Sequence, residues 1–420
     1  LAIVGCGAPA KPWIGVNTTV GQPTKANAAA LDGAGLQREF HLVGQLKAAF
    51  VRDVAMNWGV LQPHADRPVD FAVSDAFVRT ASKADAELLV VFRGIPGWAS
   101  VGGEAGGIDL GLPPRQYAEA FTQFVSAFVE RYDGDGKRDL PGTVKPVHAY
   151  QFMSEMEDIP TAEYAYWLKL FHDAVKSADA KAVVVLGGLR SPGVRAFNEA
   201  GDYPRYFERL LADSELAGPG YPYFDVAAFD NFPARYPGRL PFEDAVGYLR
   251  RTMTDHKLAL PIWLTAFGDT GVGKTEASQA DNLIKWTLMA RVAGIERVYW
   301  YSLVDQAEPG PVALPNLGLV TLGPDGKVAP KPALDAFRKI VAETHARPSI
   351  VRRSEGLYLL SGKGEPRYVM WKAEGHEATS PLIPGWWAVE KATGPKVVRQ
   401  GAEIQLDATP LFIERTTSTF

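Results

Sequence analysis

The sequence predicts an α/β protein: a (β/α)8 TIM barrel over residues 12–347, followed by a small C-terminal antiparallel β-sandwich domain over residues 348–420. Three observations carry this. Eight short apolar runs recur along the chain, most of them followed by a polar loop and a segment with an apolar period of 3.6 residues. Eight strand–helix units are the number that closes a parallel barrel with inserted loops. After Ala346-Arg347-Pro348 the texture changes to short runs broken by Gly and Pro turns. A doubly wound open sheet is the main structural alternative.

The strands are read at Trp13–Val16, Phe50–Val54, Leu88–Phe92, His148–Met153, Val183–Leu186, Phe224–Phe229, Pro261–Thr265 and Arg297–Tyr301. Between them, Tyr117, Phe121, Phe124, Val125, Phe128 and Val129 make one apolar helical stripe. Leu283, Ile284, Thr287, Leu288, Ala290 and Val292 suit a helix with a wide buried face. The C-terminal strands are read at Leu357–Leu360, Arg367–Lys372, Trp387–Lys391, Glu403–Leu406 and Leu411–Glu414.

The composition narrows the function. The formal net charge of −4 offers no basic field for nucleic acid. No segment has the roughly 18 uninterrupted apolar residues of a membrane span. The single cysteine excludes an internal disulfide, and its position is informative. Leu1-Ala2-Ile3-Val4-Gly5-Cys6 resembles a bacterial lipobox, which implies lipidation at Cys6 and a secreted, envelope-anchored protein attached to the membrane through that lipid alone. Residues 1–11 are then signal remnant and linker. A short buried first strand with a core Cys is the other reading.

In a barrel, functional side chains project from the C-terminal ends of the strands. Arg52 lies on the second strand, and a buried Arg needs a carboxylate, so it is a candidate for orienting an acid. The third strand ends Arg93-Gly94-Ile95-Pro96-Gly97-Trp98. The fourth ends Gln151-Phe152-Met153-Ser154-Glu155-Met156, the sixth Asp230-Asn231-Phe232, the seventh Leu264-Thr265-Ala266-Phe267-Gly268 and the eighth Trp300-Tyr301-Ser302-Leu303-Val304-Asp305.

These endings resemble those of clan A glycoside hydrolases, nearest the family of β-xylosidases, α-L-iduronidases and exopolysaccharide endoglycosidases. Leu317-Gly318-Leu319 followed by Lys331-Pro332-Ala333 resembles a further segment of that family. The resemblance implies two carboxylates about 5–5.5 Å apart, an acid/base on the fourth strand and a nucleophile on the seventh. Glu155 falls on the acid/base position. Ala266 falls on the nucleophile position, where a methyl group cannot form a glycosyl-enzyme bond. Ser154 and Met156 replace the family's Asn and Pro, and Asp230 stands where a His is usual. One change at the nucleophile would suit an active retaining enzyme seen as a mutant; several departures suit natural loss. Asp230 could also serve as the base of an inverting site at about 6.5–9.5 Å from Glu155.

The implied ligand is a polysaccharide or oligosaccharide, bound by Arg52, Ser154 and Asp230, with Trp58, Trp98, Trp300 and Tyr301 as stacking platforms. No cofactor is implied. Glu155, Glu157 and Asp158 make a poor metal site, with no His nearby, and Glu157 and Asp158 suit a solvated loop. Two other classes stay open. Gly268-Asp269-Thr270-Gly271-Val272-Gly273-Lys274-Thr275 fits the phosphate-binding loop pattern of nucleotide-binding proteins, although it coincides with the loop after the seventh strand. A structural envelope or assembly protein would use the barrel only as a scaffold.

Overall fold

In a computed structural model, residues 12–20, 33–101, 107–142, 144–190, 205–233, 242–269, 275–305, 316–323, 326–375 and 379–416 are described. Cys6 and Lys274 lie outside them. The chain divides into two compact units. One comprises Gly15–Phe267 and Glu296–Leu303; the other comprises Gly268–Ile295 and Val304–Phe420 together with the segment before Gly15.

The first unit is built on parallel strands β1 (Ile14–Asn17), β2 (Phe50–Met56), β3 (Glu87–Phe92), β4 (Ala149–Phe152), β5 (Val183–Val185, resumed at Leu189–Arg190), β6 (Ala227–Asn231), β7 (Ile262–Phe267) and β8 (Arg297–Trp300). Neighbours in sequence pair in register, and β8 lies beside β1. The first half of β5 pairs with β4 and the second with β6, with Val185 also bridging Val226 and Ser154 bridging Gly188. The sheet is therefore closed. Closure excludes the doubly wound alternative, and with it the open-sheet setting of a nucleotide-binding loop. All eight expected strands are present with ends shifted by a few residues; β6 starts later, and β7 runs on to Phe267.

Alternation along each strand sorts side chains to the two faces. Phe50, Leu89, Ala149, Val185, Val226, Ala228, Trp263 and Tyr299 form one buried cluster. The Arg297 guanidinium lies 4.0 Å from the Phe50 ring centroid and 4.3 Å from that of Trp263, a cation–π contact at the N-terminal end of the strands. Outside β3 and β4, Phe92 and Phe152 pack on Phe121 of helix Ala118–Tyr132 and on Phe171 of helix Thr161–Ala178. That is the apolar stripe read from the sequence.

In the second unit, the C-terminal β domain is antiparallel throughout, with six strands in the order Ser349–Ser354, Leu357–Ser361, Arg367–Met370, Leu411–Thr416, Thr379–Lys391, Val397–Gln405. Met370, Trp387, Ile404, Leu411 and Ile413 form its core. Ser349–Ser354 escapes sequence reading because it is an edge strand with almost every residue exposed, so no alternation marks it. Among the described residues no helix is long and apolar enough to cross a membrane.

Candidate functional site

Above the apolar plug, the inward positions of the strands turn polar. Arg52, one step beyond Phe50, is buried; its Nε donates to Gln151 Oε1 at 2.6 Å and its Nη1 to Asn17 Oδ1 at 2.8 Å. Gln151 Nε2 donates to the Leu186 carbonyl at 2.9 Å, and Asn17 Nδ2 to the carbonyls of Thr265 and Tyr299 at 3.1 and 3.2 Å. Thr265 Oγ1 donates to Asp230 Oδ1 and Ser154 Oγ to Asp230 Oδ2, both at 2.8 Å. Six strands thus share one buried hydrogen-bond network, which satisfies groups whose burial is otherwise costly.

Asp230 is the charged centre of this layer and only 2% exposed. Burial pushes its carboxyl above the usual range, while the Arg52 guanidinium pulls it back and Glu155 adds to the rise. The same burial lowers Arg52, against the pull of Asp230. The backbone of β5 makes room for this carboxylate: a Cβ on Gly188 would lie 2.4 Å from Asp230 Oδ1. Ala266 pairs with Asp230 in register, next to an irregularity between Leu264 and Ala266, and is buried.

Beyond β4 the chain leaves the strand conformation. Met153 and Glu155 both have positive φ, 64° and 57°, and the Glu155 N–H donates to the Gly188 carbonyl at 2.8 Å. The Glu155 carboxylate, 13% exposed, lies 3.5 Å from Arg190 Nε at the end of β5. Arg190 Nη1 also meets Asp158 at 2.6 Å, and its backbone N–H donates to Glu157 Oε1. These carboxylates together hold Arg190 above its usual range, against its own desolvation. The expected solvated loop is half right. Asp158 is exposed, but Glu157 is buried, and burial raises it to about 8 despite Arg190.

The aromatic platforms need correction. Trp58 and Trp300 are both fully buried, so neither face is open to a sugar ring. Trp58 opens the short helix Trp58–Leu61, capped by Asn57, and stacks on Phe124 in the helix layer. Trp300 packs edge-on against Phe267. Trp98 is half-buried, its Nε1 donating to the Gln62 carbonyl at 3.0 Å, and its ring meets Trp58 and Tyr117. Tyr301 is half-buried beside Phe232 and close enough to Arg52 to act on its charge. The structure brings Arg52, Ser154 and Asp230 together, and sets Glu155 and Tyr301 within electrostatic reach of that group.

Sequence reading missed Arg190, Gly188 and the supporting roles of Asn17, Gln151 and Thr265. A polar residue at an inward strand position is the signal that could have found the last three. Within Gly268–Thr275, Asp269 accepts a hydrogen bond from Asn282 at 2.6 Å, and Thr275 caps helix Glu276–Val292 by accepting from the Ser278 N–H. Residues 270–274 lie outside the described ones.

The sequence matches no protein-family model and no curated protein. Solved structures do match. A family 39 glycoside hydrolase from the gut symbiont Bacteroides cellulosilyticus WH2 aligns over 96% of this chain and 80% of its own, with a TM-score of 0.70 at 16% identity. A glucosidase from Croceicoccus marinus aligns over 97% and 96%, with a TM-score of 0.65 at 12% identity. A GH30 endoxylanase from Clostridium papyrosolvens C71 aligns over 96% of both chains, with a TM-score of 0.54 at 11% identity. The fold is that of glycoside hydrolases.

Proposed function

We propose that this chain binds a polysaccharide or oligosaccharide at the C-terminal mouth of its barrel and does not hydrolyse it through a glycosyl-enzyme intermediate. The observation that carries this is Ala266. A retaining glycosidase needs a second carboxylate about 5–5.5 Å from its acid/base, and position 266 offers a buried methyl group. The charge the mouth retains near that point is Asp230, which is tied by Ser154 and Thr265 and lies within electrostatic reach of Arg52. With both oxygens bonded and almost no exposure, Asp230 serves as a buried counter-charge to Arg52 rather than a base for an attacking water. The carbohydrate itself is proposed from the fold shared with enzymes described as a glucosidase and an endoxylanase, and from Glu155, Arg190 and Tyr301 at the rim. Lipidation at Cys6 and an envelope location belong to the same reading; loss of detergent-phase partitioning in Cys6→Ala checks them.

The test is calorimetry on a panel of neutral and acidic oligosaccharides, alongside release of reducing ends over days. Binding without release is expected. Release at any rate above buffer would overturn the non-hydrolytic part, and absence of binding across the panel would leave the barrel as a scaffold. Ala266→Glu is expected to remain silent, because the new carboxylate would stand beside Asp230 and the two would compete for one Arg52. Retaining hydrolysis by that single variant would show a machinery intact except at the nucleophile.

A further inference from the structure

Glu157 is a buried acid outside the polar network around Asp230, and it shares an arginine with Glu155. It is only 7% exposed. Its Oε1 accepts from the Arg190 backbone N–H, and its Oε2 has no hydrogen-bond partner. The Arg190 side chain starts from that same anchored backbone. Its Nε lies 3.5 Å from Glu155 and its Nη1 2.6 Å from Asp158. One arginine therefore links Glu155, at the acid/base position, to a second carboxyl that is buried.

The groups around Glu157 come from four parts of the chain. Glu155 and Asp158 share its loop, and Arg190 ends β5. Tyr164, on helix Thr161–Ala178, and Tyr206, on helix Tyr206–Ala212, both feel its charge. The Tyr164 hydroxyl donates to the Phe152 carbonyl at 2.9 Å and accepts from the Gly187 N–H at 3.0 Å. The Tyr206 hydroxyl has no hydrogen-bond partner, and Arg209 and Asp213 act on it with opposite sign. Burial holds both tyrosines neutral, so neither can balance a charge on Glu157. The cation that acts on Glu157 is Arg190.

Two protonation states then divide one guanidinium differently. With Glu157 neutral, its unpartnered Oε2 carries no charge, and Arg190 serves Glu155 and Asp158. Once Glu157 is ionised, the same oxygen is a buried charge, which is costly unless a cation meets it. The Arg190 backbone is already tied to Glu157, so a change of side-chain rotamer moves the guanidinium between the two acids.

We infer that Glu157 is a positioning residue for Glu155: neutral, it leaves Arg190 to Glu155, and ionised, it draws the guanidinium away. Burial keeps the proton on Glu157 up to about 8, so the change falls on the alkaline side of neutrality. The inference concerns the state of Glu155 and holds whatever the mouth binds.

The experiment is an NMR titration of the full chain without ligand, from about pH 6 to about pH 9.5, a range that brackets the change. It follows the glutamate side-chain carboxyl carbons and the arginine Nε nitrogens. Signals are assigned from Glu155→Gln, Glu157→Gln and Arg190→Lys. In the wild type, the Glu155 carboxyl and Arg190 Nε signals should both step where Glu157 loses its proton, at about 8. Glu157→Gln keeps the neutral shape and should abolish both steps, with the melting temperature at the acid end of the range unchanged. Glu39→Gln removes another buried acid raised to about 8 and should leave both steps in place. A Glu155 step with no Arg190 step would overturn the inference, because the guanidinium would then be static. So would steps that persist in Glu157→Gln, or a wild type with no step at either residue. None of these outcomes bears on carbohydrate binding, which the calorimetry above decides separately.

Discussion

Asp230 shows how much one residue's meaning depends on partners from other strands. Its position at the end of β6 was legible, because strand ends in a barrel are where charge is tolerated. Its role was not. Whether it is a base, a ligand contact or an anchor turns on Ser154, Thr265, Arg52 and the missing side chain at Gly188, which come from β4, β7, β2 and β5. Removing its charge leaves Arg52 buried and uncompensated. Asp230→Asn should therefore destabilise by about 3–5 kcal/mol in chemical denaturation. The double variant Arg52→Met/Asp230→Asn should lose clearly less than the sum of the singles, because the pair is then removed together. An additive result would show that the two do not interact. Gly188→Ala tests the same geometry from the backbone side and should displace the carboxylate without altering any charge.

Among the elements, the strands were more legible than the loops that follow them. Trp58 and Trp300 sit at strand ends, the right address for a sugar platform, yet pack against the helix layer and Phe267. For Trp300 the outward direction follows from alternation with the inward Tyr299 on the same strand; for Trp58 it follows from the turn into the short helix Trp58–Leu61, which no strand periodicity encodes. The Lys331-Pro332-Ala333 segment shows the opposite case, a sequence feature with a physical cause. Lys331 occupies the N-cap position of helix Pro332–Ala346, and its side chain is 3% exposed, with Nζ lying 3.2 Å from Asp305 and 2.8 Å from the Asn316 carbonyl. Asp305 also accepts from the Gly318 N–H, and a Cβ on Gly318 would come within 2.2 Å of the Asp305 nitrogen. One buried lysine thus ties the first residue before the helix to both Asp305 and Asn316. Lys331→Met leaves Asp305 without its cation, holding only the Gly318 N–H, and should lower stability by about 3–5 kcal/mol in a melting curve. A melting curve equal to wild type would show that the clamp contributes nothing.

For the molecule as a whole, the buried acids make stability depend on pH in an unusual direction. Glu39, on helix Gly33–Leu46, is raised to about 8 by burial first and by neighbouring Asp53 second, and its Oε2 has no hydrogen-bond partner. Asp53 in turn is held by the Thr18 hydroxyl at 2.6 Å and the Val54 N–H. Glu157, in the same unit, is also raised to about 8. A carboxyl whose folded value exceeds its unfolded one binds its proton more tightly in the native state. Its contribution is complete below the unfolded value of 4.5 and is lost as pH climbs toward about 8. The barrel unit should therefore be more stable at pH 5 than at pH 8.5, by an amount on the order of a few kcal/mol. Urea midpoints measured across that range check this. Glu39→Gln, which keeps the shape and removes the titration, should flatten the decline throughout the interval up to about 8. Glu157→Gln should flatten it independently, since the two acids lie on different sides of the sheet order, near β1 and β2 in one case and β4 and β5 in the other. A midpoint that rises between pH 5 and pH 8.5 would mean that both acids are ionised in the native protein and paired with cations instead.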